Sequence, residues 1–136
     1  MGNEFLELVG VNPHYIPEAG PGVNTNCVSC VNAAIDRLLG RDTGAVADPS
    51  VGYSGPNDLL RSAPFGFSRP TSPANVTTRL LSEGDGAIAV VRVEQSGSVE
   101  HVIIGINRGG NVRYIDPQVG SVVDLQPNLT VIPGYR

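Results

Sequence analysis

Two cysteines, Cys27 and Cys30, open the stretch NCVSCVNAAIDRLLG, and the chain has no others. A C-x-x-C can be half of a metal site, a redox couple or disulfide, or the setting of a nucleophile. A zinc site needs about four ligands. The two histidines, His14 and His101, do not form a second closely spaced pair. A redox C-x-x-C normally follows a strand and opens a helix, and no strand pattern precedes Asn26. The helix start instead suits a nucleophile. Backbone N–H groups and the helix dipole stabilise a thiolate there, and the same N–H groups can form part of an oxyanion hole. Cys27 holds that position. Cys30 lies one turn further in, beside the apolar stripe, and reads as a small buried side chain.

A thiol nucleophile needs a base, and the base needs an orienter. His101 opens the apolar run HVIIGIN directly after the polar turn EQSGSVE, at a strand edge where an imidazole can face a cleft. The next run, NVRYID, ends in Asp116 and is joined to the first by NRGGN. A hairpin brings the start of one strand beside the end of the other, so Asp116 can fix the tautomer of His101. Gln118 is the alternative orienter. Asn24, Thr25 or Asn26 can lend a donor to an oxyanion. The plainer readings are a surface histidine at 101 and a turn-forming Asp-Pro at 116–117.

The elements that must position these groups are legible in outline. Apolar residues at 28, 31, 34, 35, 38 and 39 predict an amphipathic helix, with Asn26 or Thr25 as its cap and Gly40 at its C′ position. SPANVTTRLLSE, 72–83, predicts a second helix. Five β-branched runs follow at 87–93, 101–107, 111–116, 121–125 and 129–132. Residues 41–72 read as a long loop with a short helix in GPNDLLRSA; loops this long are uncommon unless functional. Helices first and strands after predict an α+β domain, a helix carrying the cysteine packed on an antiparallel sheet carrying His101 and Asp116. Three prolines, and three glycines after Val9, in 1–25 suggest an extended arm, with the domain proper at 26–136.

Composition narrows the function class. The 136 residues carry a net charge of −4, and every one of the nine basic residues is an arginine. No basic run could track a phosphate backbone, so nucleic acid is not an expected partner. With no lysine, Schiff-base chemistry is excluded. No apolar window is long enough to span a membrane, and the first residues lack the pattern of a secretion signal or a myristoylation site.

The sequence resembles a family at this point. N-C-x-x-C with an alanine-rich helix ending L-x-G, then H-V-I-I, then Y-I-D-P-Q, resembles the papain-fold toxin glutamine deamidases of bacterial polymorphic toxins, over roughly residues 26–125. The order Cys, His, Asp is the papain-like order. NCVSCVNAAIDRLLG also resembles the D-C-G-P-A-C helix start of the double-glycine leader peptidases, where the first cysteine reacts. It can equally be laid on the papain motif C-G-S-C-W, where the second reacts. The helix beyond Cys27 is the longer one, which favours Cys27, with Cys30 as the alternative.

The resemblance implies a papain-like fold and a cysteine acyl-transfer enzyme that turns a protein glutamine into glutamate, with Cys27 as nucleophile, His101 as base and Asp116 as orienter. It implies no cofactor. It implies a target protein and a cognate immunity protein as partners, and delivery into a target cell as the C-terminal domain of a larger toxin. Peptidase and transglutaminase chemistry share the same acyl-enzyme. A non-catalytic binding module using the 41–72 loop is the reading from a different class.

Overall fold

The computed structural model describes residues 8–13, 27–47, 66–67, 69–93, 101–117, 119–126 and 129–135; at 27–29, 66–67 and 101 it describes the backbone. The chain divides into two compact units, Met1–Ala63 with Pro117–Ser121, and Pro64–Asp116 with Val122–Arg136.

In the first unit, α1 runs Cys27–Leu38. Gly40, at φ 71°, ends it. The Arg41 amide donates to the Asp36 carbonyl (2.9 Å) and the Gly40 amide to that of Arg37 (3.1 Å). This pair of bonds is the Schellman closure that glycine at C′ permits. Cys30, Val31, Asn32, Ala33, Ala34 and Ile35 are consecutively buried. The amphipathic pattern is therefore overridden in mid-helix, and among the side chains described from Cys30 onward the partly exposed ones begin at Asp36. Leu8 and Val11, inside the stretch that reads as an arm, are buried as well. Arg37 holds that segment: Nη1 donates to the Val9 carbonyl (2.7 Å) and Nε to the Ala45 carbonyl (2.6 Å). The Ala47 amide donates to the Val11 carbonyl at 2.8 Å.

The second unit is built on a six-stranded sheet, β1 (Gly66–Phe67), β2 (Ile88–Val93), β3 (His101–Arg108), β4 (Asn111–Asp116), β5 (Ser121–Val123) and β6 (Val131–Tyr135), in the order β1-β6-β2-β3-β4-β5. The pairings β1–β6, β6–β2, β2–β3 and β3–β4 are antiparallel. The helix α2, Pro73–Glu83, covers one face. Ser72 caps it with proline at the first turn, and Pro73, Val76 and Leu80 are its buried residues. Val76 and Leu80 pack with Ala89, Val91, Val93, Ile103, Tyr114 and Val131. The residues that alternate with these, Val90, Val102, Ile104 and Ile115, are buried too. A sheet buried on both faces needs no polar alternation, which is why AIAVVRV and HVIIGIN read as continuous apolar runs.

The α+β architecture expected from the sequence is the observed one. NRGGN forms the expected hairpin: Gly109 and Gly110 take φ of 63° and 88° between Arg108 and Asn111, the double positive φ of a two-residue type I′ turn. Two strands were not legible in full. β1 is only two residues long and falls inside the expected loop. β6 begins later than the apolar run LTVI suggests and continues through Pro133 and Gly134. Around Pro133, Gly134 pairs with Phe67 and Val131 bridges Thr71 on one side, while Val91 faces Pro133 on the other.

Candidate active site

Each of the three expected catalytic residues occupies the end of an element. Cys27 is the first residue of α1. His101 is the first residue of β3, opposite Val93, the last residue of β2. Asp116 is the last residue of β4 and is half-buried. Cys27 lies in the first unit, His101 and Asp116 in the second. Asn24, Asn26 and Gln118, and the cap position Thr25, lie outside the described residues.

The β3–β4 register bears on how positions 101 and 116 relate. The paired residues run from Arg108↔Asn111 to Ile104↔Ile115. Continued by one step, the same register would put Asp116 across from Ile103, with position 101 at a diagonal on the same sheet face. Diagonal positions are about 7–8 Å apart, within reach of long side chains. On that register the two positions would lie diagonal rather than directly opposite, although the observed pairing of β3 with β4 ends at Ile104↔Ile115.

Cys30 is fully buried, at 0% exposure. A thiol with no exposed surface cannot meet a protein substrate, whereas the first residue of a helix has intrahelical N–H groups free of partners around it.

The side chains between α2 and β4 hold the hairpin. Tyr114 Oη donates to the Pro73 carbonyl (3.1 Å). It also lies 2.8 Å from Thr77 Oγ1. A carbonyl only accepts, so the tyrosine proton goes to Pro73 and Thr77 donates to Tyr114. Burial pushes the Tyr114 pKa up; the Thr77 hydrogen bond offsets this in part and the nearby Tyr135 adds to it. At the far end of the hairpin, the buried Asn107 amide donates to the carbonyls of Leu80 (3.0 Å) and Gly84 (2.9 Å). Its Oδ1 accepts from the Gly110 amide at 2.9 Å. One side chain therefore caps α2 and closes the β-turn. Sequence reading missed both residues. The polar Asn in HVIIGIN was the available signal, since an amide inside an apolar run must find buried partners.

No group of three or more His, Cys, Asp or Glu side chains suited to a metal occurs among the described residues. A cleft of about 300 Å³ lies between β4 and the 122–125 segment, lined by Val112, Tyr114, Val123 and Leu125 with Arg113 and Asp124. It contains neither His101 nor Asp116.

Comparison with known proteins supplies the class. Residues 25–121 match the family described as papain fold toxin 1, glutamine deamidase. The chain belongs to this family of papain-fold toxins, and its α+β fold, with a cysteine-bearing N-terminal helix and an antiparallel sheet, agrees with that membership. No curated protein matches the sequence. Family membership implies glutamine deamidation, a hydrolysis of an amide. Among the described residues, no helix is long and apolar enough to cross a membrane.

Proposed function

We propose that the chain deamidates a glutamine of a target protein through a thioester formed on Cys27. The family match carries this reading, because it spans Cys27, His101 and Asp116 together. The complete burial of Cys30 supports Cys27 as the reacting thiol.

In this mechanism the Cys27 thiolate attacks the glutamine side-chain carboxamide carbon. An S–C bond forms and the oxygen becomes an oxyanion. Amide N–H groups at the start of α1 take that charge, with Asn26, Asn24 or Gln118 as side-chain positioning groups. The C–N bond then breaks, and the His101 imidazolium gives its proton to the departing ammonia. Water, deprotonated by His101, attacks the thioester. Glutamate leaves and the thiolate is restored. Asp116 holds the imidazole tautomer throughout.

The same reading gives the setting. Membership in a toxin family supports delivery into a target cell as the C-terminal domain of a larger protein, with a target protein and a blocking immunity protein as partners. We widen the catalytic domain of 26–136 to take in 8–13, because Leu8 and Val11 are buried.

Expression in the bacterial cytoplasm tests the proposal. The native chain should slow growth and leave glutamine-to-glutamate changes in cell proteins. Cys27→Ala should do neither while melting at nearly the same temperature. Cut peptides or glutamine–lysine cross-links in place of deamidation would indicate peptidase or transglutaminase chemistry. Full toxicity of Cys27→Ala would favour a binding module.

A further inference from the structure

The β3–β4 ladder stops one residue short of Asp116. Its last pair is Ile104↔Ile115, and at its start β3 pairs with β2, through Val93↔His101, Arg92↔Val102 and Val91↔Ile103. The backbone pairing of the hairpin therefore does not by itself set Asp116 against position 101. The nearest residue of β4 on the same face is Tyr114, two positions earlier, and it is tied to a different element. Its hydroxyl donates to the Pro73 carbonyl and accepts from Thr77, both in the first turns of α2. Its ring is keyed across the ladder against Gly105, where an added Cβ would come within 3.1 Å of Tyr114 Cε1 and of Leu80 Cδ1.

We infer that Tyr114 is a positioning residue: its hydroxyl pins the end of β4 to α2 and so sets the diagonal approach of Asp116 to His101. The inference rests on the reading of His101 as base and Asp116 as its orienter. The Tyr114 hydroxyl commits its single proton and a lone pair to two partners in α2, so β4 is tied to that helix at this position. A tyrosine hydroxyl is protonated at neutral pH and burial moves its pKa further up, so the donor to Pro73 persists there. Asp116 follows Tyr114 by two residues and precedes Pro117, whose fixed φ stiffens the chain beyond it. A rotation of β4 about its axis would be carried directly to the carboxylate.

The test reads the imidazole and not turnover, so it needs no known target. The chain has two histidines, and His14→Gln assigns the signal of His101. Imidazole titration by NMR is followed in the full chain carrying Cys27→Ala, which removes the thiolate charge. An adjacent carboxylate raises a histidine pKa by about one unit or more, so Asp116→Asn should lower the His101 pKa by about that much. Tyr114→Phe keeps the ring and removes the hydroxyl; it should lower the His101 pKa by about half as much. Thr77→Val, which removes one partner from the other side, should act in the same direction and serves if Tyr114→Phe fails to fold. A His101 pKa that falls in Asp116→Asn but stays put in Tyr114→Phe and Thr77→Val overturns the positioning role and leaves the dyad standing. A pKa unmoved by Asp116→Asn overturns the dyad, and the positioning role with it.

Discussion

Tyr114 stands opposite Gly105 across the β3–β4 ladder, and its ring fits because position 105 has no Cβ. Gly105→Ala would bring a methyl to 3.1 Å from both the Tyr114 ring and Leu80 Cδ1. Overpacking of this kind costs about 1–3 kcal/mol, and the Leu80 methyl can give by a few tenths of an ångström, so the lower end is expected. The urea midpoint of Gly105→Ala should fall without a change in slope. An unchanged midpoint would mean that the ring is not keyed there.

Asn107 offers a sharper test of how α2 and the hairpin are joined. Asn107→Ala removes two donors and one acceptor from buried or half-buried backbone groups. Leaving buried groups unsatisfied costs about 1–3 kcal/mol each, so a loss of about 3 kcal/mol is expected. Amide exchange should localise it: the Gly110 amide should lose protection before those of β2. Uniform loss would show that Asn107 supports the sheet as a whole and not its turn.

In the first unit Arg37 clasps the 8–13 segment alongside the Ala47–Val11 backbone bond. Arg37→Ala releases the carbonyls of Val9 and Ala45. One partner is exposed, so a modest fall of about 1 kcal/mol is expected. The more telling change is local. Proteolysis near residues 8–13 should speed up, since segments that open at low cost are cut first. Arg37→Lys should not restore resistance, because an ammonium cannot present two divergent N–H groups as the guanidinium does.

Two tyrosines set the alkaline limit. Burial raises the pKa of Tyr114 and, less completely, of Tyr135, where Arg79 4.4 Å from the ring centroid lowers it and Glu83 raises it. A folded pKa above the unfolded value of about 10 means that the folded state binds the proton more tightly. That contribution is complete below pH 10 and is lost as pH rises beyond it. The unfolding midpoint should therefore be flat from about pH 8 to pH 10 on this account and decline above. Tyr114→Phe should shrink the decline. An identical decline in the variant would assign it elsewhere.

How much of this was readable in advance follows the range of the interactions involved. α2, β2, β3, β4 and the Gly109–Gly110 turn are set by local signals: a Ser-Pro start, β-branched runs and a glycine pair. The closure of α1 at Gly40 is equally local. β1 has two residues and no pattern to display, and β6 contains a proline, a residue that argues against a strand when read from sequence. The position of β6 between β1 and β2 depends on pairing across the whole unit, which no window of sequence contains. The hairpin that carries His101 and Asp116 was legible, because its glycine turn is local; the register along it was not, since register depends on where the turn begins. Tyr114 was invisible as a latch because its partners, Pro73 and Thr77, are more than thirty residues away.

The two cysteines should separate cleanly in function. Cys30→Ala creates a small void in a fully buried site; deleting buried side-chain atoms costs on the order of 1–2 kcal/mol. Its melting temperature should fall while toxicity persists. Cys27→Ala should show the reverse.

The central claim is that Cys27 is a thiolate activated by His101, and alkylation tests it most directly. Iodoacetamide labelling of the native chain at about pH 6, where an ordinary thiol of pKa about 8.5 is protonated, is followed by intact mass and peptide mapping. Fast labelling at Cys27, abolished by His101→Ala, is the predicted result. Fast labelling at Cys30 instead, or slow labelling of both, would contradict it.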